Sequence, residues 1–192
     1  MQGLKYAIDH AELIVFDLDG TIVYLDVDWS AVKEEISGYF FNKYGINESF
    51  SPMQPAIQRL VDRFGYSIKN PICDIIRKHE SAAIPTSVAN EFVIQLINSI
   101  SLEKKLAVFS INLHETIEQA LKKEGIFYKF DYIVGFEDVI HLKPDPEGLE
   151  QILMYFKTDS SKALYIGDKD IDVKAGKAAN VKTYNISTNI MY

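Results

Sequence analysis

A run of four apolar residues followed at once by two carboxylates constrains this chain more than any other feature. Leu13–Phe16 is typical of a short strand buried on both faces, and Asp17, Asp19 and Gly20 follow it. If the strand ends at Asp17 and the chain turns at Gly20, both carboxylates can lean toward one cleft. Carboxylates so close repel each other, so the cleft needs a metal ion, a lysine or a shared proton. Oxygen ligands on a turn favour Mg²⁺.

Each of these residues has a simpler explanation when it is taken alone. Acidic residues and glycine are common where a strand ends and the chain turns, because they tolerate or stabilise turn conformations. A functional interpretation is favoured here because further polar groups follow other predicted strands.

Short apolar runs alternate with helical patterns in the second half of the chain. The predicted strands cover residues 106–110, 132–134, 163–166 and 181–184, and the predicted helices between them cover 115–124, 146–156 and 172–179. Such alternation indicates a parallel sheet with right-handed crossovers. We therefore predict an α/β fold with a three-layer Rossmann-like parallel sheet core, whose ligands bind at the carboxyl ends of the strands.

The first half of the chain carries helical signals instead. Asp28 precedes a helical pattern that stops at Gly45, while Ser51-Pro52 and Asn70-Pro71 are typical helix starts. A further apolar stripe over 88–100 predicts the helix that leads into the second strand. The predicted organisation is a core formed by 1–23 and 85–192, with a small all-helical module at 24–84 inserted after the first strand.

The composition excludes several classes of protein. The chain has 192 residues, 47% of them hydrophobic, which is enough for one packed core with a small insertion. A net charge of −7 without a Lys/Arg-rich run argues against nucleic acid as a partner. No membrane span or signal peptide is expected, since Met1–His10 lacks a long apolar stretch. Cys73 is the only cysteine, so we expect no intrachain disulfide and a reducing, cytoplasmic location.

Three further polar groups lie at or between the later strands. Ser110 ends the second strand, Gly167 and Asp168 open an acidic turn after the fourth, and Lys143 lies in a proline-rich loop between them. Taken singly, each has an ordinary alternative: a turn serine, acids placed at a helix N-terminus, and a solvated lysine. An acid-lined cleft needs a counter-charge, however, and a rigid proline-flanked loop can supply Lys143 in one orientation.

Taken together and in this order, the motifs resemble those of the haloacid dehalogenase-like superfamily. The resemblance rests on Asp17-Leu18-Asp19-Gly20-Thr21, Ser110, Lys143 and residues 167–172, and it spans nearly the whole chain from Glu12. The helical insert directly after the first motif is similar to that of the subfamily containing phosphoglycolate phosphatases. In that subfamily the insert is a mobile cap whose closure excludes water and selects the substrate.

This resemblance implies a catalytic and metal-binding set. Asp17 is the implied nucleophile, which forms an aspartyl-phosphate, and Asp19 is the implied general acid and then base. Mg²⁺ is implied between Asp17, the carbonyl of Asp19 and Asp168, with Asp172 in support.

The resemblance also implies a phosphate site. Ser110 and Lys143 correspond to groups that bind phosphoryl oxygens, and Gly20 and Thr21 shape the turn around them. Ile111, directly after the hydroxyl residue, belongs to the same implied site.

The chain departs from the family pattern in three places. Residues 24–29 replace the usual Asp-Ser or Asp-Thr, Ile111 stands where Asn is common, and Lys169 stands where Ser is common. These positions bear on the choice of substrate more than on the chemistry.

The predicted function is a Mg²⁺-dependent phosphomonoesterase acting on a small phosphorylated metabolite, as a monomer or homodimer. One alternative is a phosphomutase of the β-phosphoglucomutase type, and another is a phosphate- or partner-binding protein without turnover. A dehalogenase would not need Asp19, and a receiver domain would not account for the Asp-x-Asp-Gly-Thr run. No side chain identifies the substrate.

Overall fold

The computed structural model describes residues 2–192. Its strands are β1 Leu13–Phe16, β2 Val23–Tyr24, β3 Val88–Ala89, β4 Lys105–Phe109, β5 Tyr132–Val134, β6 Ala163–Gly167, β7 Lys182–Asn185 and β8 Ile190–Met191. Six of them form one sheet in the order β5-β4-β1-β6-β7-β8, which is parallel except for β8. The other two, β2 and β3, form a separate antiparallel pair.

Eight α-helices lie within the described residues. They are α1 Gln2–His10, α2 Trp29–Tyr44, α3 Met53–Phe64, α4 Lys69–Ala83, α5 Glu91–Ser99, α6 His114–Lys123, α7 Glu147–Phe156 and α8 Asp170–Ala178. None of the helices in residues 2–192 is both long enough and apolar enough to cross a bilayer.

Strand β1 is the centre of the core, and its side chains alternate between two hydrophobic clusters. Leu13 and Val15 pack with the insert and with α7 and α8, whereas Ile14 and Phe16 pack with α1, α5 and α6. All four side chains are buried because helices cover both faces of the sheet. The predicted three-layer α/β fold is thereby confirmed.

Helices α2, α3 and α4 lie between β2 and β3, where the sequence predicts an all-helical insert. The side chain of Asp28 accepts hydrogen bonds of 3.0 Å from the amides of Ser30 and Ala31, which begins α2 as predicted. Gly45 ends α2 in the left-handed conformation, at φ 65°. The domain boundaries between 23 and 24 and between 84 and 85 stay a prediction.

Several local predictions in this region were wrong. Tyr24 and Val88 belong to the β2–β3 pair rather than to helical segments, because strands of two residues are too short to show an alternating pattern. Helix α3 begins at Met53 without a side-chain cap from Ser51. Helix α4 begins at Lys69, before Pro71, since a proline within the first turn removes no intrahelical hydrogen bond.

The sequence reasoning also missed the two ends of the chain. Helix α1 packs Leu4 and Ile8 into the core, and β8 pairs with β7 through Tyr184 and Asn185. Helix α1 thus covers part of one face of the sheet, and β8 forms one of its edges.

Candidate active site

Three adjacent strands end at the polar residues that the sequence singles out. Strand β1 lies between β4 and β6 in the sheet. Asp17 follows β1, Ser110 follows β4 and Asp168 follows β6. The amide of Asp17 donates to the carbonyl of Ile166 at 2.8 Å, which extends the sheet pairing to the acidic residue. The sheet therefore gathers these side chains at one edge.

Lys143 is the buried centre of this arrangement. Its ammonium lies 2.8 Å from Asp17 Oδ1 and 2.8 Å from Asp172 Oδ1. It also lies 2.5 Å from the Tyr165 hydroxyl and 2.8 Å from the Phe109 carbonyl. Only 2% of Lys143 is exposed, so the lysine is a fixed internal cation rather than a solvated side chain.

The buried charged groups shift one another's pKa values, and the shifts differ in direction. Burial acts against the charge of Lys143, but Asp17 and Asp172 outweigh it and raise the pKa of the ammonium. Burial raises the pKa of Asp17, assisted by the charge of Asp172 and opposed by Lys143. For Asp172 burial is outweighed by Lys143 and by several hydrogen bonds, so its pKa is lowered. The ammonium thus holds a charged Asp172 beside the nucleophile candidate.

Asp17, Asp168 and Asp172 present carboxylate oxygens that all lie within 4.8 Å of one another. Three carboxylates and the single ammonium of Lys143 leave two negative charges uncompensated, which matches a divalent cation. Burial, the largest cause, raises the pKa of Asp168, and the neighbouring carboxylates raise it further. The donor set therefore fits Mg²⁺.

The three carboxylates differ in how many of their oxygens are free. Both oxygens of Asp172 are occupied, Oδ1 by Lys143 and the Tyr165 hydroxyl and Oδ2 by the amide of Lys169. Asp17 Oδ2, in contrast, accepts no hydrogen bond within residues 2–192, and Asp168 accepts only a 3.4 Å contact from the Thr21 hydroxyl at Oδ1. Asp17 and Asp168 are thus the two side chains with oxygens available to a cation.

Gly20 is required by the approach of Asp168. Its φ of +91° lies in the left-handed region, and a Cβ at this position would lie 2.4 Å from Asp168 Oδ2. Both the backbone conformation and the contact disfavour a side chain here, since a Cβ would force Asp168 to move. The glycine therefore allows the first and last acidic motifs to meet.

Asp19 lies beside the acidic cluster rather than within it. Its Oδ1 accepts from the Leu25 amide at 3.0 Å, and its Oδ2 lies 3.8 Å from the ammonium of Lys169. Its carbonyl oxygen, the atom implied as a metal ligand, accepts from the same ammonium at 3.1 Å. The side chain of Asp19 faces the cleft and is separate from the carboxylates around Lys143.

Ser110 is tied to a carboxylate that the sequence reasoning did not single out. The Ser110 hydroxyl donates to Asn112 Oδ1 at 2.8 Å, and Asn112 Nδ2 donates to Glu80 Oε1 at 2.7 Å. The amide of Leu113 donates to the second oxygen of Glu80 at 3.0 Å. Glu80 is fully buried, and burial outweighs these hydrogen bonds to raise its pKa to about 7. Helix α4 thus reaches the loop after β4.

A buried lysine docks the other end of α4 onto the core. The ammonium of Lys69 donates to the carbonyls of Phe136 and Val139, the latter at 2.9 Å, and burial lowers its pKa to about 8. The helical spacing contains the signal for both residues. Lys69 and Glu80 occupy the same stripe as the buried apolar residues Ile72, Ile76 and Ala83.

Tyr165 is the third residue that was missed. Its hydroxyl accepts from Lys143 and donates to Asp172 at 2.8 Å, inside the buried cluster. A tyrosine in the middle of an apolar strand indicates only that its buried hydroxyl has a hydrogen-bond partner, and the sequence does not identify that partner.

A cleft of about 510 Å³ opens between this edge of the sheet and the insert. The core contributes Asp19, Ile111, Asn112 and Lys169, and the insert contributes Trp29, Lys33 and residues 51–54. The two implied phosphate-site residues Ser110 and Lys143 are both buried and do not line the cleft.

Comparisons with known proteins show which family this chain resembles. The model of the haloacid dehalogenase-like hydrolase family matches residues 14–186. Pyrophosphatase PpaX of Halalkalibacterium halodurans is 28% identical over 173 residues, which cover 88% of this chain and 80% of that protein. Pyrophosphatase PpaX of Listeria welshimeri is 26% identical over 189 residues, covering 91% of this chain and 82% of that protein.

Solved structures share the fold at low sequence identity. A predicted phosphoglycolate phosphatase from Haemophilus somnus superposes with a TM-score of 0.61 at 18% identity, covering 92% of this chain and 85% of that one. CbbY from Rhodobacter sphaeroides, solved with phosphate, gives a TM-score of 0.61 at 18% identity, covering 91% and 85%. Since the family match spans nearly the whole chain, this protein belongs to the haloacid dehalogenase-like hydrolases, as an enzyme of the phosphatase type.

Proposed function

We propose that this enzyme is a Mg²⁺-dependent phosphatase that hydrolyses a small phosphorylated metabolite through an aspartyl-phosphate on Asp17. The observation that carries the proposal is the state of the two Asp17 oxygens. Oδ1 is held at 2.8 Å by Lys143, while Oδ2 accepts no hydrogen bond within residues 2–192. One oxygen is thus fixed and the other is available to attack phosphorus.

The proposed reaction has two steps. Asp17 Oδ2 attacks phosphorus, the bond to the leaving oxygen breaks, and Asp19 gives its proton to that oxygen. Asp19 then takes a proton from water as the water attacks the phosphorus of the aspartyl-phosphate. This second step releases inorganic phosphate and restores the carboxylate of Asp17.

The remaining residues position the phosphoryl group and neutralise its charge, and these two tasks are most of what phosphoryl transfer requires. Lys143 opposes the rise that burial causes in the pKa of Asp17, and together with Ser110 and Ile111 it forms the proposed phosphate site at the turn of Gly20 and Thr21. When bound, Mg²⁺ supplies positive charge beside the phosphoryl oxygens. Asp17, Asp168 and the Asp19 carbonyl would hold it, and Asp172, whose oxygens are already occupied, would support them.

The relatives suggest which substrates to assay first. Their names identify pyrophosphate and phosphoglycolate as substrates of similar proteins. Both are small enough for the 510 Å³ cleft. We therefore propose a small phosphorylated anion rather than a macromolecule.

Phosphate release by the Asp17→Asn variant tests the proposal. We expect wild-type enzyme to release phosphate from p-nitrophenyl phosphate and from at least one of these metabolites with Mg²⁺ but not with excess chelator. Asp17→Asn should lose about 10³-fold or more of this activity, since the amide is not a nucleophile. Asp170→Asn, a change at an exposed acid on α8, is the matched control.

Two results would contradict the proposal. A fully active Asp17→Asn enzyme would exclude Asp17 as nucleophile. Conversion of a sugar phosphate to its isomer without phosphate release would identify a phosphomutase instead.

A further inference from the structure

The charges of the cleft are the reverse of those of the whole protein. The chain carries a net charge of −7, yet the cleft is lined by one acid, Asp19, and two cations, Lys33 and Lys169. The cations stand on opposite walls, Lys33 on α2 of the insert and Lys169 at the start of α8. Two lysines against one acid give the lining of the cleft a net positive charge, which favours anions there.

The two lysines are not equally compensated. Lys169 donates to the Asp19 carbonyl at 3.1 Å and lies 3.8 Å from a carboxylate oxygen of the same residue. Lys33 is half-buried, and none of the ion pairs formed within residues 2–192 involves it. Its charge is therefore available to an anion inside the cleft.

The transferred phosphoryl group does not account for Lys33. In the proposed function that group lies at Asp17 and Lys143, which are buried and do not line the cleft, whereas Lys33 lines its insert side with Trp29, one helical turn earlier. A ligand that reaches from Asp17 to the insert would place its non-reacting end beside Lys33 and Lys169.

We propose that Lys33 and Lys169 form a subsite for a second anionic group of the substrate. The substrate class is then a small phosphoester or diphosphate with a carboxylate or a second phosphate on its leaving portion. The inference rests on the proposed function for the position of the reacting phosphorus. The subsite selects substrates by charge, because a neutral leaving portion gains no contact from the two ammonium groups.

The test compares three probes of similar size. Phosphoglycolate carries a carboxylate, pyrophosphate carries a second phosphate, and ethyl phosphate carries a neutral tail. Each is assayed for kcat/KM with wild-type enzyme, Lys33→Met, Lys33→Arg and the control Lys43→Met. Lys43 lies on the same helix but contacts Tyr39 instead of the cleft.

We expect wild-type enzyme to prefer at least one doubly anionic probe to ethyl phosphate. Lys33→Met should reduce that preference about tenfold, as expected for the loss of one charge-assisted contact. Lys33→Arg keeps the positive charge and should retain most of the preference. Lys43→Met should show the same preference as the wild type. The preferred probe distinguishes a carboxylate from a phosphate at the subsite.

Binding without turnover separates this inference from the proposed function. Calorimetry with Mg²⁺ and the Asp17→Asn enzyme should give tighter binding of the preferred doubly anionic probe than of ethyl phosphate, and adding Lys33→Met should remove the difference. If wild-type enzyme hydrolyses none of the probes but this pattern of affinities holds, the proposed function fails and the subsite stands. Equal affinities, or a preference that Lys33→Met leaves intact, would overturn the subsite even in an active enzyme.

Discussion

The carboxylate of Glu80, on helix α4 of the insert, accepts a 2.7 Å hydrogen bond from the side-chain amide of Asn112 in the core. Asn112 in turn accepts the hydroxyl proton of Ser110. Because both oxygens of Glu80 accept N–H groups, the amide nitrogen of Asn112 faces Glu80 and its oxygen faces Ser110. A buried residue of the insert thereby orients a hydroxyl of the proposed phosphate site.

Replacing Glu80 with alanine should destabilise the fold. The change leaves Asn112 Nδ2 and the Leu113 amide without partners in a buried position, so we expect a loss of about 2–4 kcal/mol in the free energy of unfolding. Urea denaturation of Glu80→Ala measures this loss. Glu34→Ala, at an exposed position on α2, is the control and should change stability little. Equal stability of the two variants would contradict the account.

The raised pKa of Glu80 makes its contribution depend on pH. Burial raises the pKa from the ordinary value of 4.5 to about 7, so the folded protein binds this proton more tightly than the unfolded chain does. Stability from Glu80 is therefore fully present below pH 4.5 and is lost as the pH rises to about 7.

The comparison with Glu80→Gln isolates this effect, since glutamine does not titrate. Between pH 4.5 and pH 7.5 the stability of the wild type relative to Glu80→Gln should fall by about 3 kcal/mol. Urea midpoints at the two pH values provide the measurement. A relative stability that rises with pH would show that the hydrogen bonds to Glu80 outweigh its burial.

Lys143 should be indispensable for both activity and stability. Lys143→Met leaves Asp17 and Asp172 buried beside each other without their shared cation, so we expect a loss of about 3–5 kcal/mol in stability. We expect activity to fall about 10³-fold or more, since the phosphoryl charge also loses its fixed counter-charge. Lys162→Met removes an exposed lysine paired with Glu12 and should leave both properties close to wild type. An active Lys143→Met enzyme would remove the lysine from the proposed mechanism.

Gly20→Ala should impair the metal site beyond its effect on the backbone. Its new Cβ would lie 2.4 Å from Asp168 Oδ2, whereas a Cβ at Gly45, another left-handed glycine, would meet nothing within 4 Å. Both variants pay about 1–2 kcal/mol for the left-handed conformation. Only Gly20→Ala should also raise the Mg²⁺ concentration needed for half-maximal activity, by about tenfold for a displaced ligand. The same Mg²⁺ dependence in both variants would refute the role of this close approach.

The sheet and the polar residues at its edge could be predicted from the sequence because both depend on local patterns. The apolar run that ends in Asp17 and the acidic turn before α8 can each be recognised from a few neighbouring residues. Helical spacing predicts that Lys69 and Glu80 are buried, but the hydrogen-bond partners of Glu80, Lys69 and Tyr165 could not be assigned in this way. Each is a polar side chain inside an apolar pattern, and its partner lies in a loop or strand that only the folded chain brings near.

The errors in the insert have a related cause. Strands β2 and β3 are two residues each and exist only because they pair with each other across the chain between them, which is 63 residues long from Tyr24 to Val88. Neither has an alternating pattern of its own. Helix α1 was missed although its buried residues Leu4, Ala7 and Ile8 have helical spacing, because nine residues give only a short stripe.

Titration of the enzyme with Mg²⁺ by calorimetry tests the central claim most directly, which is that Asp17 and Asp168 share one divalent cation. We predict a single site in the wild type and an affinity at least about tenfold lower in Asp168→Asn, as expected for the loss of a ligand. Asp170→Asn, two residues away and exposed, should bind Mg²⁺ as the wild type does. Unchanged Mg²⁺ affinity in Asp168→Asn would contradict the account.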